Sequence, residues 1–357
     1  MAGEWARNSL TEMLGIDLPI VLGPFGGASS VELVAMVSNS GGLGSYGLYG
    51  LGPERITDVA AQIRALTDRP FALNLWLPTD DADAAAPDEA QFQEYLEPLK
   101  PYFAELDLPL PERPERYLVP FSEQIDATIA AHPAALSFVY GVPDAALIER
   151  CRTAGIRVIG TATTVDEARA LDAAGVDIIV ATGSEAAGHR VSFLRAAEDS
   201  LVGTISLVPR VVDAVRAPVI AAGGIADGRG VAAALALGAS AAQIGTAFLA
   251  CDESAANPPH RASLWSVDAE DTTLTRAFSG RLSRGIPNRM SRELADAPRA
   301  PFPVQNWLTG HIKRAAAAQD NPDLTSLWAG QSAPLIHHTA ADDLIAAITS
   351  DVDAILR

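Results

Sequence analysis

Short apolar runs separated by amphipathic stretches set the rhythm of the chain. Runs at 20–23, 43–48, 71–77, 135–140, 157–162, 177–182, 218–222 and 241–249 read as strands. The run Ile178-Ile179-Val180-Ala181 contains no polar position. A strand buried on both faces reads that way, as in a parallel sheet wrapped by helices. Helix signals lie between the runs. Ser29-Ser30-Val31-Glu32 has the spacing of a capping box, and Gly41-Gly42 stops the helix that follows. Thr164-Val165-Asp166-Glu167 repeats the device, with Gly175 as the stop. A helix–glycine–strand junction recurs in Ala154-Gly155-Ile156-Arg157-Val158-Ile159-Gly160 and Ala174-Gly175-Val176-Asp177-Ile178-Ile179-Val180, and more loosely in Leu237-Gly238-Ala239-Ser240-Ala241-Ala242-Gln243. Eight strands with room for a helix after each predict an α/β fold of the (β/α)8, or TIM, barrel type.

Two segments break the rhythm. Residues 78–121 are rich in Pro, Asp and Glu and predict a helix-containing excursion over the barrel mouth. Residues 252–334 separate the eighth strand from a last helix at 340–356 and are too long for a βα loop. They predict a smaller helical domain inserted after the eighth strand. The barrel then comprises 1–251 and 335–357, and insertions on its C-terminal face commonly shape a substrate pocket.

Composition narrows the function classes. Half of the chain is apolar (48%), and 26 basic against 44 acidic residues leave a net charge of −18. So acidic a protein is not expected to bind nucleic acid or anionic membranes. No apolar run approaches the ~18 residues of a membrane span. The N-terminal residues lack the apolar core of a signal peptide. The two cysteines, Cys151 and Cys251, suit a reducing compartment, so a cytoplasmic location is expected. A small-molecule substrate is left as the expected partner, with a monomer or homodimer as the assembly.

Three glycine-rich stretches carry different meanings. Gly42-Leu43-Gly44-Ser45-Tyr46-Gly47 matches G-x-G-x-x-G, but a helix precedes it, whereas the dinucleotide motif must follow a strand and open a helix. It reads as a tight turn into the second strand. Ala222-Gly223-Gly224-Ile225 ends the seventh strand and opens a helix at 229–237, and Gln243-Ile244-Gly245-Thr246 ends the eighth. Loops after strands seven and eight form the usual phosphate cradle of such barrels, and a helix N-terminus there adds partial positive charge. A third loop, Thr182-Gly183-Ser184-Glu185-Ala186-Ala187-Gly188-His189-Arg190, follows strand six. Small residues admit a flat ligand, and His189 can then reach it as a proton acceptor. The other histidines sit in weaker contexts, and no spacing supports a metal site.

Together these loops resemble those of the nitronate monooxygenase family, FMN-dependent barrels also known as 2-nitropropane dioxygenases. The resemblance begins at Pro19-Ile20-Val21-Leu22-Gly23-Pro24-Phe25-Gly26-Gly27, continues through Ser40-Gly41-Gly42-Leu43-Gly44, Phe71-Ala72-Leu73-Asn74 and Glu185-Ala186-Ala187-Gly188-His189, and includes both phosphate loops. Phe278-Ser279-Gly280-Arg281, Asn288-Arg289 and Leu327-Trp328-Ala329-Gly330-Gln331 extend it into the insert. It implies FMN as cofactor, lined by Gly23, Pro24 and Phe25 and hydrogen-bonded by Asn74. It implies that Gly224, Gln243, Ile244, Gly245 and Thr246 hold the phosphate, that Gly223 also binds the cofactor, and that His189 is catalytic. Thr182, Ala187 and Gly188 would also contact the flavin. Thr182 stands where the family usually has Gln, Ala187 replaces the first glycine of a pair, and Phe25 replaces a common methionine.

The resemblance implies FMN-dependent oxidation of alkyl nitronates by O2 to a carbonyl compound and nitrite. An NAD(P)H-dependent reductase of the enoyl-acyl-carrier-protein or quinone type on the same scaffold is the alternative. A non-catalytic flavin- or phosphate-binding protein is disfavoured by the intact histidine loop. An enoyl reductase must dock an acidic carrier, for which Arg276, Arg281, Arg284 and Arg289 could form a basic mouth. Salt bridges to the surplus carboxylates are the favoured reading of these arginines.

Overall fold

The computed structural model describes residues 3–79, 87–266 and 271–357. Eight parallel strands form its centre: β1 Ile20–Leu22, β2 Gly44–Gly47, β3 Phe71–Trp76, β4 Ala135–Val139, β5 Arg157–Ala162, β6 Ile178–Thr182, β7 Val219–Ala222 and β8 Ala241–Ile244. Each pairs with its sequence neighbour from β2 to β8, and β8 pairs with β1. Reciprocal bonds at the remaining seam, Leu22 N–H to Leu43 O and Leu43 N–H to Ile20 O (both 2.9 Å), close a TIM barrel.

Strand burial explains the apolar runs. Alternate side chains face the barrel axis and the surrounding helices. Val21, Leu43, Ala72, Ile159, Val180 and Ile220 pack together with Leu10 and Leu14. Those leucines come from the helix Ser9–Leu14, which Asn8 caps through Leu10 N–H and Thr11 N–H. One end of the barrel is thereby plugged. The opposite residues, including Ile20, Leu22, Leu73, Ile179 and Ile244, pack against the helices.

The recurrent glycine junction has a conformational cause. Gly155, Gly175 and Gly238 all adopt positive φ (74°, 86° and 91°), which ends each helix and turns the chain into the next strand. Gly44 serves close packing instead, since a Cβ there would lie 2.1 Å from Val34 O in the helix Val31–Asn39.

Three local expectations change. The run at 241–249 is not one strand: β8 stops at Ile244, and Thr246–Leu249 is a helical turn. A short buried apolar run does not distinguish the two by periodicity. Ser29 is not a helix cap; Ser30 takes that role through Leu33 N–H. Ser29 Oγ instead accepts from Phe25 N–H and Gly47 N–H, tying the loop after β1 to the end of β2. Thr164 does cap its helix, but Glu167 does not complete the box. The carboxylate of this buried residue accepts from Thr163 N–H, Phe193 N–H and Leu194 N–H.

Both long interruptions contribute to a second apolar cluster. Phe92, Leu96 and Phe103, from the helices Glu89–Leu96 and Lys100–Glu105, pack with Phe278, Met290, Leu308 and Ile312. Leu308 and Ile312 lie on the helix Val304–Ala318. The region expected to be helical also carries a hairpin, Thr273–Thr275 with Ser283–Gly285. Parts of both interruptions, 80–86 and 267–270, lie outside the described residues. The last helix runs Ala341–Ile355. No helix among the described residues is long and apolar enough to cross a membrane.

Candidate active site

A cavity of about 360 Å³ opens at the C-terminal ends of the strands. Gly23, Pro24, Phe25, Asn74, Thr182, Ala187, Gly188, His189, Gly223, Gly224, Gln243, Gly245 and Thr246 all line it. Of the residues singled out in the sequence, Ile244 is the exception. Its side chain is buried in the core outside the barrel, because it alternates with Gln243 and Gly245, which face the cavity.

One wall is built from glycine turns. Gly223 and Gly224 have positive φ (102° and 73°). A Cβ on Gly224 would lie 3.3 Å from Glu185 Cβ, and one on Gly23 would lie 3.2 Å from Gly245 Cα. Side chains there would crowd Glu185 and Gly245, so the turns keep a bare backbone. Such a cradle fits a phosphate-bearing group without any basic side chain. The neighbouring helix contributes less than the sequence implied. It spans Gly228–Ala236, and the Asp227 carboxylate already accepts from Arg229 N–H and Gly230 N–H at its start. The turns, rather than the helix N-terminus, therefore face the cavity.

Asn74 has a defined polarity. Its Nδ2 donates to Ser137 Oγ (2.9 Å) and Ser137 O (3.2 Å) on the adjacent strand. The amide nitrogen is thus engaged with Ser137, and the carbonyl oxygen is left to accept from a ligand.

The insert holds His189 in place. Gly188–His189 is a short strand, antiparallel to Ser283–Gly285, and Arg190 N–H donates to Leu282 O (2.8 Å). His189 Nε2 lies 2.8 Å from Ser279 Oγ. Its ring meets those of Trp76 and Trp328 at centroid distances of 5.2 and 5.6 Å. Burial, reinforced by the positive charges of Arg281 and Lys313, pushes its pKa down to about 3. The imidazole is therefore neutral at pH 7, and a protonated ring is favoured only once an anion is nearby.

Several lining residues escaped the sequence reading. Lys313 Nζ donates to Asn306 Oδ1 (3.0 Å), and Asn306 Nδ2 donates to Tyr49 Oη (2.8 Å). All three line the cavity, with Trp76 and Trp328. Burial, then the nearby Arg314, lowers the Lys313 pKa to about 8. Burial raises that of Tyr49 to about 12, so its hydroxyl stays protonated. One signal was available: Asn306 and Lys313 are seven residues apart and so share one face of a helix, turned away from the face of Leu308 and Ile312.

The four arginines divide. Arg276 pairs with Glu198, and Arg289 with Glu105. Arg284 donates to Ser184 O and Thr272 O. Arg281 is buried, its guanidinium 3.8 Å from the Phe302 ring centroid and 4.0 Å from that of Tyr140. Among the described residues, no group of three or more His, Cys, Asp and Glu is placed to hold a metal ion.

A family model described as nitronate monooxygenase matches residues 7–351. The chain belongs to the nitronate monooxygenase family. It is 41% identical over 361 residues to a protein from Staphylococcus aureus (strain JH9) named "Probable nitronate monooxygenase", covering 99% of each chain. A solved structure of nitroalkane oxidase from Streptomyces ansochromogenes is similar with a TM-score of 0.85 and 36% identity, over 97% of this chain and 98% of that one. FabK from Thermotoga maritima is similar at a TM-score of 0.75 and 28% identity, over 98% and 97%. Membership in the nitronate monooxygenase family makes this barrel an oxidoreductase, with its cavity at the strand ends where TIM-barrel enzymes carry their sites.

Proposed function

We propose that the protein oxidises alkyl nitronates to a carbonyl compound and nitrite, using FMN and O2, with His189 facing the substrate. One observation supports this reading above the rest. A neutral imidazole, the Lys313 ammonium and two indole rings line a cavity that continues into the glycine cradle.

In this reading Gly23, Pro24 and Phe25 lie along the flavin, with Thr182, Ala187 and Gly188 beside it. Asn74 accepts a hydrogen bond from it. Gly223, Gly224, Gln243, Gly245 and Thr246 surround the phosphate, with Ile244 contributing backbone alone. FMN supplies the electron chemistry with O2. The protein's own part is to bind, orient and handle protons. Trp76, Trp328 and Tyr49 exclude water around the alkyl group, and Lys313 balances the charge of the anion. When the substrate is a neutral nitroalkane, the unprotonated nitrogen of His189 takes the α-proton, and the anion so formed stabilises the imidazolium. The substrate is a small molecule, and the reading needs no metal, nucleic acid or membrane.

Turnover of nitronate with nitrite release, measured alongside anaerobic mixing with NADH and NADPH, tests the proposal. Rapid nitrite formation with slow bleaching by pyridine nucleotide supports it. No nitrite and rapid bleaching would instead assign a reductase, the second reading.

A further inference from the structure

Residues 327–332 cross the glycine cradle as a strap from the insert. Ile286 N–H donates to Leu327 O (2.8 Å), which seats the strap on the hairpin that also pairs with His189. Gly330 N–H donates to Thr246 Oγ1 (3.0 Å). Gln331 N–H donates to Glu185 O (3.0 Å). The Glu185 carboxylate accepts in turn from Thr204 N–H (2.9 Å) and from the Thr204 hydroxyl (3.0 Å). Gly330 is tightly enclosed: a Cβ would lie 2.8 Å from Glu185 O, 3.2 Å from Thr246 Oγ1 and 3.3 Å from Ala187 N.

A hydroxyl has one proton to give and two lone pairs to receive. One lone pair of Thr246 is taken by Gly330 N–H. The hydroxyl has no second partner among the described residues, and Thr246 is buried at the cavity wall. A buried donor left unpaired is costly, so its proton calls for an acceptor on the cavity side.

We propose that Gly330 is a positioning residue for the cofactor phosphate. Its amide turns the Thr246 hydroxyl into a donor aimed at the cradle and latches the strap over that end of the cavity. The site then distinguishes a phosphorylated flavin from the same ring system without phosphate. The inference rests on the FMN reading given above.

The test titrates the full-length apoprotein with FMN and with riboflavin, reading flavin fluorescence. Wild type should bind FMN more tightly than riboflavin. Gly330→Ala and Thr246→Val should each weaken FMN about tenfold, the loss expected of one hydrogen bond. Riboflavin affinity should change less than about twofold on the same scale. The double variant should lose little more than either single one, because both act through one hydroxyl. Thr246→Ser should retain the preference. Equal losses for both flavins, or losses that add, would overturn the proposal and leave the strap a packing element. Hydrogen exchange on wild type covers the case in which Gly330→Ala does not fold. Amides of 327–332 should gain protection with FMN and not with riboflavin, and equal protection overturns the proposal. An apoprotein that binds neither flavin overturns the FMN reading itself. One that binds both equally overturns the strap inference alone.

Discussion

His189 Nε2 and Ser279 Oγ stand 2.8 Å apart, and Ser279 is itself held by Arg281 N–H at 3.3 Å. Ser279 is buried. The ring is thus fixed from the insert side, and its Nδ1 has no hydrogen-bond partner among the described residues. Ser279→Ala should keep the cofactor and lower turnover about tenfold, the worth of one hydrogen bond. Steady-state rates with flavin content measured in parallel check this. A variant with full turnover would show that packing alone fixes the ring.

His189→Asn should separate proton removal from binding. The amide keeps polarity but is no base near pH 7. Turnover of neutral nitroalkanes should fall about 10²–10⁴-fold, the usual contribution of a placed base. Turnover of preformed nitronates should fall much less. Similar large losses on both substrates would assign the ring to binding only.

Lys313 should give nitronate binding a pH dependence of known sign. With a pKa near 8, it is cationic below that pH and neutral above it. KM for nitronate should therefore rise as pH passes through about 8 in wild type. Lys313→Met should raise KM about tenfold at pH 7, the order of one charge-assisted contact, and flatten the profile. A rise of equal size in the Met variant would place the titrating group elsewhere.

Acid should destabilise the fold through two buried imidazoles. Burial lowers His260 to about 4 and His189 to about 3, both below the ordinary 6.5. As pH falls below about 6.5, the unfolded chain takes up these protons and the folded chain does not, so stability is lost progressively towards pH 4. His260 Nε2 lies 2.9 Å from Trp328 O, a contact that an amide can also make as donor. His260→Gln should fold and show a shallower loss. Urea midpoints across that pH range measure it, and identical slopes in the two proteins would contradict the assignment.

The barrel was legible because its strands are buried on both faces and leave uninterrupted apolar runs. The left-handed glycines at 155, 175 and 238 punctuate the helix ends. The glycine turns and His189 were legible for a related reason, since they directly follow strands whose ends define the site. Lys313 and Asn306 were not, and Ser279 and Trp328 stood out only as parts of motifs, with no place at the site. They reach the cavity from the insert by tertiary packing, and no local period points to where such a segment docks. Asp227 shows the opposite error. A helix opening after glycines promised free amides, yet the residue just before the helix already occupies them.

The antiparallel pairing of Gly188–His189 with Ser283–Gly285 also sets an order of events during synthesis. All eight barrel strands are complete once Ile244 has emerged. The strand that fixes His189 follows about forty residues later, and Trp328 later still. A nascent or truncated chain ending near residue 250 therefore carries the glycine turns but lacks the partners that fix the imidazole. The imidazole therefore gains its fixed position only once the last third of the polypeptide has been made.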